Sequence, residues 1–378
     1  MRILGVESSC DETAAAVVAE GRAVWSNVIA SQVELHAEYG GVVPEIASRA
    51  HVERMNGVLG RAMAEADVGW GDVDAVAVAN RPGLIGALLV GTAAAKAAAW
   101  AMGKPVVGVD HVEAHLYSPL LEHGRAGDGW RAEEVFPALG LVVSGGHTSM
   151  YRLASPTEVE VVGTTIDDAV GEAYDKAAAI LGLGYPGGPA VDERARLGDA
   201  GAHAFPVSRL GRGSLDLSFS GLKTALLYAV RGQPLPESRG GKASFERDAG
   251  SLSADEVNDF CASFQRAAVK AVVLKLERAL EGWGGLGCGG DGGWGERPRS
   301  LLVGGGVAAN SLLRAELAGL GKRWGLEVRL PAMSYCVDNA AMTAGLAYHA
   351  VRARGFDGME LAASPSSVDV RRAGAAGR

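Results

Sequence analysis

The sequence predicts an α/β protein made of two similar halves that face each other across a cleft. Three observations carry that reading. Apolar runs of strand length alternate with longer segments of helical character, the pattern of a largely parallel sheet flanked by helices. The alternation starts twice: RILGVESSCDETAAAVVAEG (2–21) and PALGLVVSGGHTSMYRLA (137–154) each read as two strands joined by a polar turn. Glycine-rich turns stand where strands end, in VSGGHT (143–148) and VGGGVAAN (303–310), which is where α/β folds collect their sites.

Taken in order, RILGVE (2–7) is a strand, SSCDET (8–13) a turn of hydroxyls and carboxylates, and AAAVVAEG (14–21) the returning strand. Residues 31–62 read as helix, interrupted at YGGVVPE (39–45) by Gly40, Gly41 and Pro44. DVDAVAVAN (72–80) is a strand. LIGALLVGTAAAKAAAWAMG (84–103) is long enough to span a bilayer. Its small residues and the central Lys96 instead predict a buried helix packed closely on a sheet, and no membrane partner is expected. KPVVGVD (104–110) is the next strand and delivers HVEAH at its end.

In the second half, IDDAVGEAYDKAAAILGL (166–183) reads as an amphipathic helix with Asp168, Glu172 and Asp175 on one face. SLLVGGGVAANSLLRAEL (300–317) is strand, turn and helix; LEVRLP (326–331) follows, then a last helix from about Asp338 to Arg354, expected near the cleft. The halves are expected to divide as 1–130 and 131–378. The segments 231–255 and 282–300 are Gly-, Ser- and charge-rich and aperiodic, and read as inserted surface loops, with a shorter one at 122–134; the tail after about Ser364 reads as disordered.

Composition narrows the function. The 378 residues suffice for two domains with a sizeable core. A net charge of −8 supplies no global basic field for nucleic acid, so any such contact needs a local patch or a partner. Arg49, His51, Arg54 and Arg81 are candidates for such a basic rim. The four cysteines, Cys10, Cys261, Cys288 and Cys336, are far apart and form no CxxC pair. That argues against a disulfide scaffold or a cysteine zinc site and fits a reducing cytoplasm. MRILGVESSCDE reaches Glu7 too soon for a signal peptide.

HVEAH raises the possibility of a metal. In a helix, His111 and His115 are four apart and share a face. Glu113 is two residues from each, about 200° round at about 100° per residue, so it points away from anything they hold. The H-E-x-x-H arrangement of a metalloprotease, with its general base beside the metal, is therefore absent. The pair alone does not decide between metal ligands and two partly buried core histidines.

VSGGHT, GYPGGPAVDERA (184–195) and VGGGVAAN have phosphate-binding character, through exposed backbone N–H groups or a following helix N-terminus. No Walker A motif occurs. Asp175 suits a ribose hydroxyl or a solvated acidic stripe. Lys223, near a helix start in SFSGLKTAL, suits a phosphate, a carboxylate or solvent. Asp338 is either the N-cap of the last helix or a carboxylate that completes a site with the histidines.

Eight motifs, ESSCDETAAAVV, PEIASRAHV, DHVEAHLYS, VSGGHT, GEAYDKAA with LGLGYPGGP, SFSGLKTA, GGGVAANSLLR and CVDNAAM, occur in one order along nearly the whole chain. In this the chain resembles the universal tRNA threonylcarbamoyladenosine transferases, in their bacterial form. The resemblance implies the actin-like, sugar kinase and Hsp70 ATPase fold, with two duplicated ribonuclease-H-like halves around a nucleotide cleft. It implies transfer of threonylcarbamoyl from L-threonylcarbamoyl-adenylate to N6 of adenosine 37 in tRNAs that read ANN codons, with release of AMP. It implies one divalent metal, iron or zinc, on His111, His115 and Asp338. Val142, Val143, Ser144, Gly145, Gly146, Asp175, Gly188, Asp192 and Asn310 match the adenylate-binding positions, in a cleft that also suits ATP or ADP. Val142 stands where archaeal and eukaryotic relatives carry a tyrosine ligand. Asp11 and Glu12 are expected to border the reacting group, with Lys223 a further catalytic candidate. The implied partners are tRNA, a paralogous dimerisation partner without the metal site (TsaB type) and a small P-loop ATPase (TsaE type). A sugar or carboxylate kinase on the same fold and a non-catalytic ATP-binding protein are the rival readings.

Overall fold

A computed structural model describes residues 1–125, 129–211, 213–233, 245, 250, 252–283 and 295–367. Most of the two predicted insertions and the end of the tail lie outside these residues.

The first sheet begins as a meander of β1 (Arg2–Glu7), β2 (Glu12–Ala19) and β3 (Ala23–Ser31), antiparallel throughout. β4 (Ala75–Arg81) joins the other side of β1 in parallel, and β5 (Val106–Asp110) joins β4 in parallel. The short β6 (Glu122–His123) closes the far edge, giving the order β5-β4-β1-β2-β3-β6. The second sheet repeats the plan. β7 (Ala138–Val143), β8 (Thr148–Ser155) and β9 (Glu158–Thr164) form the meander. β10 (Ser300–Gly304) and β11 (Glu327–Arg329) add in parallel, so the order is β11-β10-β7-β8-β9. Five strands match in order and direction, and only β6 lacks a counterpart among the described residues, which bears out the duplication. The sequence reading lacked β3 and β9. Both lie towards a sheet edge; β3 alternates buried with half-exposed residues and β9 is half-exposed along most of its length, so neither makes the continuous apolar run that marked the other strands.

The predicted 31–62 helix is two helices, α1 (Val33–Ala37) and α2 (Pro44–Ala66). Pro44 opens α2, where its fixed φ suits a first helical turn and its missing N–H costs nothing. α3 (Ile85–Met102) packs on β4 and α2 through Ala87, Leu88, Gly91, Thr92, Ala95 and Ala99. Its opposite face is not buried: Ile85, Leu89 and Trp100 are exposed. By length and composition α3 also passes as a membrane span, and among the described residues it is the only such helix.

α4 (His111–Tyr117) follows β5 directly, and α5 (Ala132–Val135) leads into β7. In the second half, α6 (Val170–Leu181), α7 (Gly187–Ala195), α8 (Ser220–Arg231), α9 (Ala254–Gly282) and α10 (Ser311–Trp324) surround one large core. α6 starts four residues later than the sequence pattern suggested, so Asp168 lies in the turn before it and not on its acidic face. The last helix, α11 (Ala340–Arg354), comes after the second sheet in the chain yet packs on β1, β2, β4 and β5 of the first. Small residues make this possible: a Cβ at Gly5 of β1 would lie 2.3 Å from the Ala340 carbonyl oxygen. The first sheet is thus covered by α2 and α3 on one face and by α4 and α11 on the other.

Candidate active site and metal centre

β5 ends at Asp110, whose carboxylate caps α4 by accepting from the Val112 and Glu113 N–H groups at 2.9 and 3.3 Å. This fixes the first turn of α4 and puts His111 and His115 on one side of it, rings edge to face with centroids 4.6 Å apart. Asp338 comes from just before α11. It does not cap that helix; Asn339 does, accepting from Met342 N–H at 3.0 Å. Asp338 is thereby left to the histidines, with Oδ1 2.9 Å from His115 Nε2 and 3.6 Å from His111 Nε2. One ligand atom from each of the three residues lies within 4.8 Å of the others. Two imidazole nitrogens and a carboxylate oxygen converging on one point are a donor set that fits zinc or iron.

The electrostatics agree. Burial alone would lower the pKa of His111, but the Asp338 and Glu7 carboxylates outweigh it and hold it up at about 9. Burial would raise that of Asp338, but His111 and His115 hold it below the ordinary carboxylate range. Such a mutually stabilised cluster of opposite charges is what a cation replacing the ring protons would inherit.

Glu113 faces the other way, as its spacing requires. It lines a separate cavity of about 790 Å³ with Arg81, Asp110, Arg152 and Arg354. Glu113 is thus not placed as a general base of the metalloprotease kind.

His111 and Asp338 open on a cavity of about 340 Å³ walled by loops of both halves. From the first half come the Ser9–Glu12 turn and Pro82–Leu84; from the second come Ser144–His147 and Gly306. The Ser9–Glu12 turn is held from two sides. A Cβ at Gly83 would lie 2.5 Å from the Ser9 carbonyl oxygen, and one at Gly91 would lie 2.1 Å from Ser8 Oγ. This close approach explains Gly83 and Gly91. On the other side His51 Nε2 lies 3.0 Å from the Cys10 carbonyl oxygen and Nδ1 lies 2.8 Å from Thr13 Oγ1. His51 is therefore a buried strut and not part of a basic rim; burial lowers its pKa. Arg54 donates to the Ser31 carbonyl at 2.7 Å, Arg81 lies 3.8 Å from Asp110, and Arg49 is exposed.

Within this cavity, burial and then the charges of Asp11 and Asp338 push the Glu12 carboxyl up to about 10; Ser31 Oγ donates to it at 3.1 Å. Burial, then His111 and His115, push His147 down to about 4, so a neutral imidazole lines the wall. Burial and Asp11 raise the pKa of the Cys10 thiol, which removes it as a thiolate nucleophile.

Asp11, Glu12, His111, Asp338, Ser144, Gly145 and Gly146 meet at this cavity, with His115 behind Asp338. Ser144 N–H donates to the His147 carbonyl at 2.8 Å, which tightens the turn, and a Cβ at Gly145 or Gly146 would meet open space. Val142 and Val143 are fully buried, their side chains in different cores, and neither lines the cavity. The other sites lie deeper in the second half. Asp175 accepts from Gly187 N–H at 2.8 Å, at the start of α7 and beside Gly188. Burial raises its pKa, against the backbone N–H groups of Gly187 and Gly188. Asp192 accepts from Ser311 Oγ at 2.7 Å and Gln265 at 3.0 Å; Asn310 donates to Gln265 at 2.8 Å and caps α10. Lys223 does not line the cavity but pairs with Asp168 at 3.3 Å. The sequence reading passed over Glu7, Ser9 and His147. Each lies in a stretch already singled out, Glu7 and Ser9 in ESSCDET and His147 in VSGGHT, where the serine and the two glycines were weighed and the histidine was not.

Comparison with known proteins gives a consistent picture. The family model described as "TsaD: tRNA N6-adenosine threonylcarbamoyltransferase" matches residues 23–345. The tRNA N6-adenosine threonylcarbamoyltransferase of Syntrophomonas wolfei is 44% identical over 368 residues, covering 97% of this chain and 98% of its own. That of Pelobacter propionicus is 47% identical over 344 residues, covering 91% and 90%. Among solved structures, full-length HypF in its phosphate- and nucleotide-bound form superposes with a TM-score of 0.54 at 12% identity, over 94% of this chain and 47% of that one. At that identity the likeness speaks to fold alone. With the matched strand orders, the fold is the actin-like ATPase fold. A family model over most of its length and relatives of this identity over nearly all of it place the chain in the TsaD family of tRNA N6-adenosine threonylcarbamoyltransferases.

Proposed function

We propose that this protein forms threonylcarbamoyladenosine at position 37 of tRNAs that read ANN codons, taking the threonylcarbamoyl group from L-threonylcarbamoyl-adenylate and releasing AMP. The observation that carries the reading is the convergence of His111, His115 and Asp338 on a cavity walled by loops of both halves. These three residues would hold one iron or zinc ion, which when bound supplies Lewis-acid stabilisation of charge on the carbamoyl carbonyl or the leaving phosphate.

The chain's own residues do the rest. A bond forms between the carbamoyl carbon and N6, the bond from that carbon to the phosphate oxygen breaks, and N6 gives up a proton. An adenine amine is a poor nucleophile, so positioning carries much of the rate. The Ser144–Gly146 turn, held by the buried Val142 and Val143 before it, suits the adenylate phosphate. Asp175 and Gly188 suit the ribose, and Asp192 and Asn310 shape the far end of that site. Asp11 and Glu12 border the reacting group. A carboxylate whose proton affinity is raised by burial takes a proton readily once ionised, and this pair is assigned the N6 proton. Lys223 would have to leave Asp168 to reach substrate. ATP or ADP fits the same cleft.

We assign tRNA, a TsaB-type paralogue and a TsaE-type ATPase as partners, and the cytoplasm as the compartment. With a net charge of −8, a partner has to share the grip on tRNA. The exposed Val52, Ile85 and Leu89 of α2 and α3 offer a protein partner an apolar face. A sugar kinase on this fold is the second reading. Two histidines at the cleft count against it, since phosphate-bound Mg²⁺ takes oxygen ligands.

The test is reconstitution with unmodified ANN-decoding tRNA, ATP, bicarbonate, threonine, the adenylate-forming enzyme and the partners, followed by mass spectrometry of digested tRNA. Wild type should yield threonylcarbamoyladenosine, and His111→Ala and Asp338→Ala little. Equal product from all three would reduce the metal site to structure. No product, with the partners active on another homologue, would favour the kinase.

A further inference from the structure

We infer that Glu7 is a positioning residue for the metal site: it fixes the tautomer and orientation of His111, with Nδ1 protonated and Nε2 turned to Asp338. This rests on the proposal that His111, His115 and Asp338 hold a metal.

Glu7 is the last residue of β1 and is 0% exposed. A buried carboxylate is costly unless donors surround it. Its donors come from three elements. Oε1 accepts from Ser9 N–H at 2.7 Å, in the turn that walls the cavity. Oε2 accepts from Thr343 Oγ1 at 3.2 Å, on α11, and lies 3.2 Å from His111 Nδ1, on α4. α4 carries both histidines and α11 follows directly on Asp338, so one carboxylate is fastened to both arms of the site.

Ser9 Oγ also lies 3.1 Å from His111 Nδ1. A hydroxyl suits either tautomer, because it can accept from Nδ1–H or donate to its lone pair. Glu7 cannot; a carboxylate facing an unprotonated Nδ1 would set two lone pairs against each other. When a metal displaces one ring proton, Glu7 thus keeps the other on Nδ1, and the Nε2 lone pair is left on the side of Asp338. Glu7 is on the far side of the ring from that point and is not a ligand. A carboxylate behind a ligating histidine raises ligand basicity and holds the ring plane. His115 has no equivalent: its Nδ1 is buried without a hydrogen-bond partner among the described residues. The two histidines are therefore unequal, and His111 is the one whose geometry the protein sets in advance.

The experiment titrates metal-free full-length protein with Zn²⁺ against a chromophoric chelator, for wild type, Glu7→Gln, His111→Ala and the double variant, with thermal unfolding of each. Glu7→Gln should bind zinc about 10- to 100-fold more weakly than wild type. In the His111→Ala background the same change should add less than about threefold, because a residue that works through His111 has nothing left to orient. Wild-type binding from Glu7→Gln, or an equal loss in both backgrounds, would overturn the inference. If Glu7→Gln does not fold, Glu7→Asp takes its place; it keeps the charge and draws it back from the ring, and the same cycle applies. In zinc-loaded wild type, ¹⁵N spectra of the histidines should show His111 protonated at Nδ1, and protonation at Nε2 would equally overturn it. Failure of wild type itself to bind zinc would count against the metal site as a whole, so the two failures are distinguishable.

Discussion

Glu113 sits between two histidines in the chain and on the opposite side of the helix from both in space. Burial first, and then Asp110, push its carboxyl up to about 7, against the pull of Arg81 and Arg354. The consequence for stability has a definite sign. Its ordinary pKa is 4.5, so between about pH 4.5 and 7 the folded state holds a proton that the unfolded state has released. Stability therefore falls as pH rises through that window and levels off above it. Glu113→Gln removes the titration. The variant should gain on wild type from pH 5 to pH 8, with a ceiling of ~3 kcal/mol from ~1.36 kcal/mol per pKa unit and about 1 kcal/mol after allowing for its partial exposure. Urea unfolding at the two pH values measures this; a difference that shrinks towards pH 8 would refute it. Helical spacing was enough to turn Glu113 away from the histidines. The cavity it turns towards was not legible, because one wall is the β8–β9 hairpin, which no local pattern links to α4.

α4 is a short helix that fixes both His111 and His115, and its rigidity comes from its neighbours. Asp110 caps its start, and the end of β10 runs tightly against its end: a Cβ at Gly304 would lie 1.9 Å from the His115 carbonyl oxygen. Backbone cannot yield there as a flexible side-chain tip can. Gly304→Ala should destabilise the protein by about 1–3 kcal/mol through overpacking and also weaken zinc binding, since α4 must shift. Unfolding and zinc titration of the variant test this together; lost stability with unchanged zinc affinity would mean that α4 does not depend on β10 for its position. The third glycine-rich turn was visible in the sequence as a possible phosphate loop. Its first glycine turns out to serve helix packing, a contact between segments far apart in the chain. Element ends were the least legible feature. α6 begins at Val170 because Asp168 is used in the preceding turn, paired with Lys176 at 2.7 Å and with Lys223. The amphipathic pattern runs through that turn without a break.

The two halves of the molecule are not two halves of the chain. The duplication was legible because each copy announces itself locally, as strand, polar turn and strand. The return of α11 to the first sheet was not, because a helix of small residues carries no mark of which sheet it will cover. After α11 the chain continues along the edge of the first sheet. Asp357 N–H donates to the Val106 carbonyl at 2.9 Å and its carboxylate accepts from Gly108 N–H at 2.8 Å, both on edge strand β5. Asn80 accepts at its carbonyl from Ser364 N–H at 2.9 Å and donates to the Ala362 carbonyl at 2.7 Å; Lys96 donates to the Leu361 carbonyl at 3.0 Å. An uncovered edge strand exposes unpaired backbone groups. Residues 355–364 therefore act as a clasp that seals β5, and β5 is the strand that delivers α4. A chain ending at Arg354 should lose these hydrogen bonds, at about 1 kcal/mol each. Its melting temperature should fall by several degrees. Its zinc affinity should fall as well, since β5, which delivers His111 and His115 on α4, loses its cover. A chain ending at Ser367 keeps the clasp and should match the full-length protein in both. Equal melting temperatures for the two truncations would show that the clasp contributes nothing. A lower melting temperature with unchanged zinc affinity would confine its effect to the sheet edge and leave the metal centre supported by the core alone.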